Sequence, residues 1–209
     1  MINRLCIIGV GLIGGSLARA LRAAGACGEI VGAGRNPAHL QQAVELGVID
    51  RFETDLGVAV QDADMVLVSV PLGAMNAVFS ALNGKLPGNA VLTDAGSAKG
   101  SVIAAVQQAF GRIPGNFVPG HPIAGIEQSG VQAALPDLFH NRRVILTPLP
   151  ETDSTAIARV RSMWEAAGAT VSEMEAAHHD EVLAATSHLP HVVAFALVES
   201  LARLHDKQE

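Results

Sequence analysis

Two groups of residues have types and spacing suited to chemistry. Gly9-Val10-Gly11-Leu12-Ile13-Gly14 fits G-x-G-x-x-G and runs on into Gly15-Ser16. It directly follows a short apolar run at 5–8 and opens an amphipathic segment, the context in which such a loop cradles a dinucleotide. Gly9 would permit the tight turn, Gly11 would let the backbone approach a pyrophosphate, and Gly14 would allow close helix–strand packing. The free amides of the first turn, at Leu12, Ile13 and Gly14, would face the phosphates at the positive end of the helix. The second group lies further on, in Thr93-Asp94-Ala95-Gly96-Ser97-Ala98-Lys99-Gly100 and in Gly120-His121-Pro122-Ile123-Ala124-Gly125-Ile126-Glu127-Gln128-Ser129-Gly130. His121 closes an apolar run among small residues, and histidine is the side chain whose ordinary pKa suits proton transfer near neutrality.

The cofactor's identity has its own signal. NAD sites usually carry an acid roughly 20 residues beyond the glycines, where it binds the ribose hydroxyls. Here that position falls in Gly32-Ala33-Gly34-Arg35-Asn36, which holds no carboxylate. Arg35 is placed to meet a 2′-phosphate, so the reading favours NADP, with NAD as the alternative. The apolar run from Met65 ends in Ser69-Val70-Pro71. Strand ends line the ligand crevice of an open parallel sheet, which puts Ser69 and Pro71 beside the cofactor.

Short β-branched runs at 5–8, 30–31, 65–70, 91–92, 117–118, 144–147 and 170–171 must supply the strands that position these loops. Helical periodicity separates them, as in 12–24, where Ile13, Leu17, Ala20 and Leu21 recur on one face and Gly25 stops the helix. A second helix covers about 38–46 and stops at Gly47. Apolar strands alternating with helices predict an α/β fold, a doubly wound parallel sheet of the Rossmann type over residues 1–174. Residues 175–209 show helical periodicity alone, which reads as the start of an all-helical domain. In the last helix Val193, Leu197, Leu201 and Leu204 mark one face, and Val192, Phe195, Ala196 and Val198 cover much of the rest. Such a helix needs covering, which predicts a homodimer through the C-terminal helices, or a chain that stops inside its second domain.

Composition narrows the class further. The 209 residues are 49% hydrophobic and 16% charged, with a mean hydropathy of +0.34; this excludes a largely disordered chain. A net charge of -6 offers no basic surplus for nucleic acid. Cys6 and Cys27 are too few for a disulfide scaffold, and a reducing cytoplasm is the natural reading. No uninterrupted apolar stretch reaches the roughly 18 residues of a membrane span, so no membrane partner is expected.

Four blocks occur in order: Gly-Leu-Ile-Gly-Gly-Ser (11–16), Asp-x-Gly-Ser-x-Lys-Gly (94–100), His-Pro-Ile-Ala-Gly-x-Glu-x-Ser-Gly (121–130) and Ser-His-Leu-Pro-His (187–191). Together they resemble the prephenate/arogenate dehydrogenase family of tyrosine biosynthesis, over nearly the whole chain. The resemblance implies a Rossmann domain followed by a helical dimerisation domain. It implies NAD(P)-dependent oxidative decarboxylation of prephenate to 4-hydroxyphenylpyruvate, or of arogenate to tyrosine. His121 matches the family's catalytic histidine, which takes the proton of the substrate's ring hydroxyl. Ser97 matches a serine near that hydroxyl, His188 a substrate-binding histidine, and Glu127 an active-site acid. Lys99 reads as a solvated lysine rather than a loop support. The family's substrate arginine comes from the helical domain beyond residue 209; within the final helix stands only Arg203, and Arg142 and Arg143 read as surface charges.

Rival readings remain at this level. His178-His179-Asp180-Glu181 with His188 and His191 superficially resembles a metal cluster. No cysteine joins it, and a polar helix start, followed by a cap near Ser187 or His188 with Pro190 in the first turn, explains it better; no metal is expected. A Rossmann dehydrogenase acting on a β-hydroxy acid or imine would normally carry a lysine on the second domain's first helix, absent here before Lys207. A non-catalytic nucleotide-sensing module fits residues 9–14 equally well but gives no reason for the loops around Ser97 and His121.

Overall fold

A computed structural model describes residues 1–205; the side chains of Leu204 and His205 and residues 206–209, Lys207 among them, lie outside the described residues. The first half alternates strand and helix: β1 (Ile2–Ile8), α1 (Leu12–Ala23), β2 (Cys27–Ala33), α2 (Pro37–Glu45), β3 (Arg51–Glu53), α3 (Leu56–Ala59), β4 (Met65–Val68), α4 (Leu72–Leu82), β5 (Val91–Asp94), α5 (Lys99–Phe110) and β6 (Phe117–Val118). These strands form one parallel sheet in the order β3-β2-β1-β4-β5-β6. The expected α/β, doubly wound architecture is present. Its order reverses direction between β1 and β4, and such a switch point opens a crevice at the strands' carboxyl ends.

Register makes that edge even. Ala33 pairs with Ile8, Ile8 with Val68, and Val68 with Asp94, so four strand ends stand in one row. One residue beyond the row stand Gly9, Gly34, Ser69 and Ala95. Both faces of the sheet are covered. Leu5 and Ile7 point with Leu17, Leu21 and Trp164 into one core, whereas Cys6 and Ile8 point with Phe79, Val102 and Val106 into the other. Alternation along a strand buried on both faces explains why its residues are uniformly apolar. At the end of α1 the Ala26 and Gly25 amides donate to the Leu21 and Arg22 carbonyls, so Gly25 ends the helix where the sequence places it.

The second half departs from a single sheet. The strands expected at 144–147 and 170–171 are β8 (Arg143–Leu146) and β9 (Thr170–Glu173), joined by α6 (Ser154–Ala166). They belong to a separate three-stranded sheet, β7-β8-β9. Its first strand, β7 (Gly120–Pro122), carries His121, which pairs antiparallel with Ile145. His121 therefore sits within a strand of the second sheet rather than ending one of the first. The cause is Pro119, which has no amide for the ladder and separates β6 from β7. Its carbonyl accepts the Thr147 amide at 2.9 Å, tying the two sheets together. The sequence reading also lacks β3, whose three half-buried residues, Arg51-Phe52-Glu53, carry no apolar run.

The C-terminal segment is one helical stretch: α7 (Ala176–Leu183), a π-helical turn (Ala184–His188) and α8 (Leu189–His205). Neither Ser187 nor His188 caps a new helix. Pro190 cannot donate to the carbonyl four residues back, and the chain widens instead of breaking, with the Leu189 amide reaching Ala184. The Ser187 carbonyl is taken by His191 Nδ1 at 2.7 Å. Without a break, Ala176–Arg203 is long and apolar enough, by length and composition, to cross a membrane, a property hidden by the histidines and the proline in the sequence. Its opening turns are committed to the globular body, since His179 and Leu183 are buried. Its later turns expose Leu189, Val192, Val193, Phe195, Leu197, Val198 and Leu201.

Candidate active site

The glycine loop meets each physical demand made of it. Gly9 has φ +96°, open to glycine and rarely to other residues, and its amide donates to Ala33. A Cβ on Gly14 would come within 2.6 Å of the Gly9 carbonyl and the Ser69 hydroxyl and 2.7 Å of Ile7, so only glycine lets α1 sit this close to β1 and β4. A Cβ on Gly11 would meet nothing within 4 Å, which leaves open space in front of the helix N-terminus. The first-turn amides of Leu12, Ile13 and Gly14 have no acceptor within the helix. Space, free donors and a positive helix end together fit a pyrophosphate.

A cleft of about 720 Å³ extends from this loop past Ala33, Gly34, Arg35 and His39, with Ser69 and Pro71 on its far wall. No Asp or Glu lines it among the described residues. Arg35 is exposed at the rim, and Asn36 caps α2 by accepting the Ala38 and His39 amides. The Ser69 hydroxyl points inward and donates to the Gly9 carbonyl at 2.7 Å, so its part is to brace the loop. A second cleft adjoins the first, between Gly11, Leu12, Ile13, Ser69, Pro71 and Ala95 on one side and the loop 126–130 on the other; Glu127 lies here, exposed.

Asp94, the last residue of β5, builds the neighbouring site. Its carboxylate accepts the Gly96 amide at 2.7 Å, the Gly120 amide at 3.2 Å and the Lys99 ammonium at 2.5 Å. Lys99 also donates to the Gly120 carbonyl at 2.6 Å. Both side chains are 0% exposed, so the expectation of a solvated Lys99 is wrong. A lysine is buried only when paired, and here it ties β5, α5 and β7 into one unit. Burial holds its pKa below the usual lysine value against the pull of Asp94. Ser97 lies half-buried in the same β5–α5 turn.

His121 stands on the strand that Lys99 anchors. Its Nδ1 lies 2.9 Å from Nε2 of His179, whose Nδ1 lies 2.8 Å from the Asp180 carboxylate. Burial, then the Lys99 ammonium, His179 and His188, push the His121 imidazole down to about 3, with Asp180 pulling the other way. The ring is therefore neutral at ordinary pH and able to accept a proton. His188 faces it from the π turn, itself exposed. Asp180 accepts the Lys99 and Gly100 amides, both at 2.8 Å, and so caps α5 from 80 residues away. These hydrogen bonds outweigh burial and hold its carboxyl below the usual range.

The structure thus brings His121 and His188 together with Asp94, Lys99, His179 and Asp180, the last four missing from the expected site. One signal was available for His179: it stands four residues before Leu183, on the face α7 buries. Among the described residues no three His, Cys, Asp or Glu side chains converge as metal ligands. Arg142 and Arg143 are exposed, and Arg203 pairs with Glu199 one turn back.

Comparison with known proteins gives a consistent answer. Residues 17–173 match the family described as prephenate dehydrogenase, nucleotide-binding domain, and residues 175–209 match prephenate dehydrogenase, dimerization domain. The chain is 40% identical to a cyclohexadienyl dehydrogenase of Zymomonas mobilis over 94% of its length and 66% of the relative's. It is 33% identical to a prephenate dehydrogenase of Bacillus subtilis, covering 95% of this chain and 53% of that one. It therefore spans between about half and two thirds of these relatives. A crystal structure of prephenate dehydrogenase from Aquifex aeolicus with hydroxyphenyl propionate and NAD+ superposes with a TM-score of 0.89 at 38% identity, over 97% of this chain and 70% of that one.

The buried ion pair sets a measurable expectation. Lys99→Met leaves the Asp94 carboxylate buried without its cation and should lower the unfolding free energy by about 3–5 kcal/mol in urea titrations. A lysine of no structural consequence would cost under roughly 0.5 kcal/mol.

Proposed function

The chain belongs to the prephenate dehydrogenase family, and on that footing we propose that it holds the cofactor cleft and proton acceptor of an NAD(P)-dependent oxidative decarboxylation. The substrate is prephenate, giving 4-hydroxyphenylpyruvate, or arogenate, giving tyrosine. One observation carries this reading: a neutral imidazole, His121, stands beside the sheet's carboxyl edge, with Nδ1 occupied by His179 and Nε2 left for substrate.

When bound, the oxidised nicotinamide supplies the hydride acceptor. His121 Nε2 accepts the hydrogen bond and then the proton of the ring hydroxyl as hydride leaves the same carbon. The new carbonyl draws the electron pair of the breaking carbon–carboxylate bond into the ring, CO2 departs, and the ring becomes aromatic. The proton on His121 returns to the resulting phenolate oxygen, so no net proton is lost. The protein's contribution is orientation and one proton held at one nitrogen. Ser97 in the β5–α5 turn supports the hydroxyl end, while His188 and Glu127 bind substrate from the π turn and the 126–130 loop. In the cofactor cleft Arg35, with no carboxylate nearby, favours a 2′-phosphate and hence NADP over NAD.

The exposed apolar face of α8 is covered by a second copy. Each of its Leu, Val and Phe side chains gains about 1.5–3 kcal/mol when fully buried, far more than the chain can leave in water seven times over. No nucleic-acid or lipid partner is needed, and a reducing compartment suits its two free cysteines, Cys6 and Cys27.

Reduction of nicotinamide followed by absorbance, with prephenate and then arogenate and each dinucleotide in turn, tests the activity. The expected result is turnover with a lower Michaelis constant for NADP, and a fall of about 10²–10⁴-fold in His121→Asn. Equal constants would overturn the cofactor preference, and dinucleotide binding without turnover on either substrate would overturn the activity. By light scattering at micromolar concentration the protein should be a dimer and Phe195→Glu a monomer. A monomeric parent protein, or one that partitions into lipid vesicles, would contradict the dimer.

A further inference from the structure

His179 is a fully buried histidine, 0% exposed, outside the motifs that mark the site. It lies one turn into α7, whose first turn is fixed by the Glu175 carboxylate accepting the His178 amide at 2.8 Å. Its two ring nitrogens are both engaged. Nδ1 meets Asp180, and Nε2 meets His121 Nδ1, the two rings lying edge to face with centroids 5.1 Å apart. Asp180 in turn is held by the Lys99 and Gly100 amides at the start of α5. The groups facing His121 are therefore Lys99 from α5, His179 and Asp180 from α7, and His188 from the π turn.

Hydrogen-bond polarity follows from the end of this chain. An ionised carboxylate has no proton to give and can only accept. His179 must donate to it from Nδ1, which leaves Nε2 of a singly protonated ring as a lone pair. His121 must then donate from its own Nδ1, and its Nε2 is left without a proton. The opposite polarity would require a second proton on a ring with no solvent contact. We propose that His179, backed by Asp180, is a positioning residue that fixes the tautomer of His121 and so presents an unprotonated Nε2 to the substrate hydroxyl. A base with the wrong tautomer has its proton where its lone pair should be. The inference rests on the proposed dehydrogenase reading for its consequence in turnover, though the tautomer itself needs no substrate.

Two variants of the whole protein test it. His179→Phe keeps a flat ring and removes the acceptor, whereas His179→Gln places an amide oxygen where it can accept from His121 Nδ1. With histidine labelled in ¹⁵N, the ring-nitrogen shifts should show Nε2 of His121 as the bare nitrogen in the unaltered protein and in His179→Gln. In His179→Phe the two tautomers should mix, and kcat should fall roughly 10- to 100-fold, a fraction of what a general base supplies, with the dinucleotide Michaelis constant unchanged. His179→Gln should restore most of the rate. A protonated Nε2 in the unaltered protein, or an unchanged tautomer in a folded His179→Phe whose kcat has fallen, would overturn the proposal. Should His179→Phe fail to fold, the unaltered protein and His179→Gln still decide the tautomer. The bare Nε2 without any turnover in the unaltered protein would instead overturn the dehydrogenase reading alone.

Discussion

A lysine and an aspartate hidden from water hold this molecule's working end together. Asp94 closes β5 and Lys99 opens α5, yet both reach Gly120 on β7, so the main sheet, its covering helix and the second sheet meet at one ion pair. The pair's own contribution to stability is modest, because desolvating two charges offsets most of their attraction. Its constraint is geometric: neither charge tolerates a missing partner, so the three elements cannot drift apart. His121 is one residue from Gly120 and inherits that position. It also inherits a nearby positive charge, which with burial keeps its imidazole unprotonated.

Two sites that look separate along the chain are thereby placed on one edge. The row Ala33, Ile8, Val68 and Asp94 ends the four central strands at a common level. Immediately beyond it, Gly9 and Ser69 shape the dinucleotide cleft, and Ala95 lines the adjoining cleft beside Gly11. From Ala95 the chain turns back within two residues of Ser97 and four of Lys99. The glycine loop is thus tied to Asp94 through β4 and β5 by backbone register, and from Asp94 to the strand of His121 by the hydrogen bonds to Gly120. The C-terminal helix adds the last piece: Asp180 caps α5 while His179 reaches His121. The docked α7 therefore holds both the start of α5 and the His121 ring.

Much of this was legible in the residues. The glycine loop declared itself because backbone geometry leaves no substitute for Gly9 or Gly14, and apolar runs declared the buried strands. His121 stood out because it follows such a run among small residues. What escaped the sequence did so for physical reasons. Arg51-Phe52-Glu53 is an edge strand made by pairing alone, with polar side chains half-exposed. Gly120-His121-Pro122 follows Pro119 and ends in a second proline, which argues against a strand, and it forms one because it needs only three antiparallel pairs with β8. Lys99 is misread because a lysine is seldom buried, and the carboxylate that permits it lies across a turn. His179 hides in a polar run whose other members, His178 and Glu181, do face water. The continuous C-terminal helix depends on a π turn absorbing Pro190, which residue types alone do not announce.

The central claim is that His121 is a neutral base held so by its surroundings. A folded pKa near 3 against an ordinary 6.5 means that, between those values, the unfolded chain binds a proton that the folded one refuses. This group's contribution to stability is therefore full above pH 6.5 and is lost as the pH falls towards 3. The most direct test is an NMR titration of the His121 ring in the folded protein, from mildly alkaline to acidic pH, assigned with His121→Asn. The expected result is a ring signal that shows no protonation through the neutral range. An inflection for His121 at its ordinary value would contradict the claim, and with it the role given to Lys99 and the buried edge that carries it.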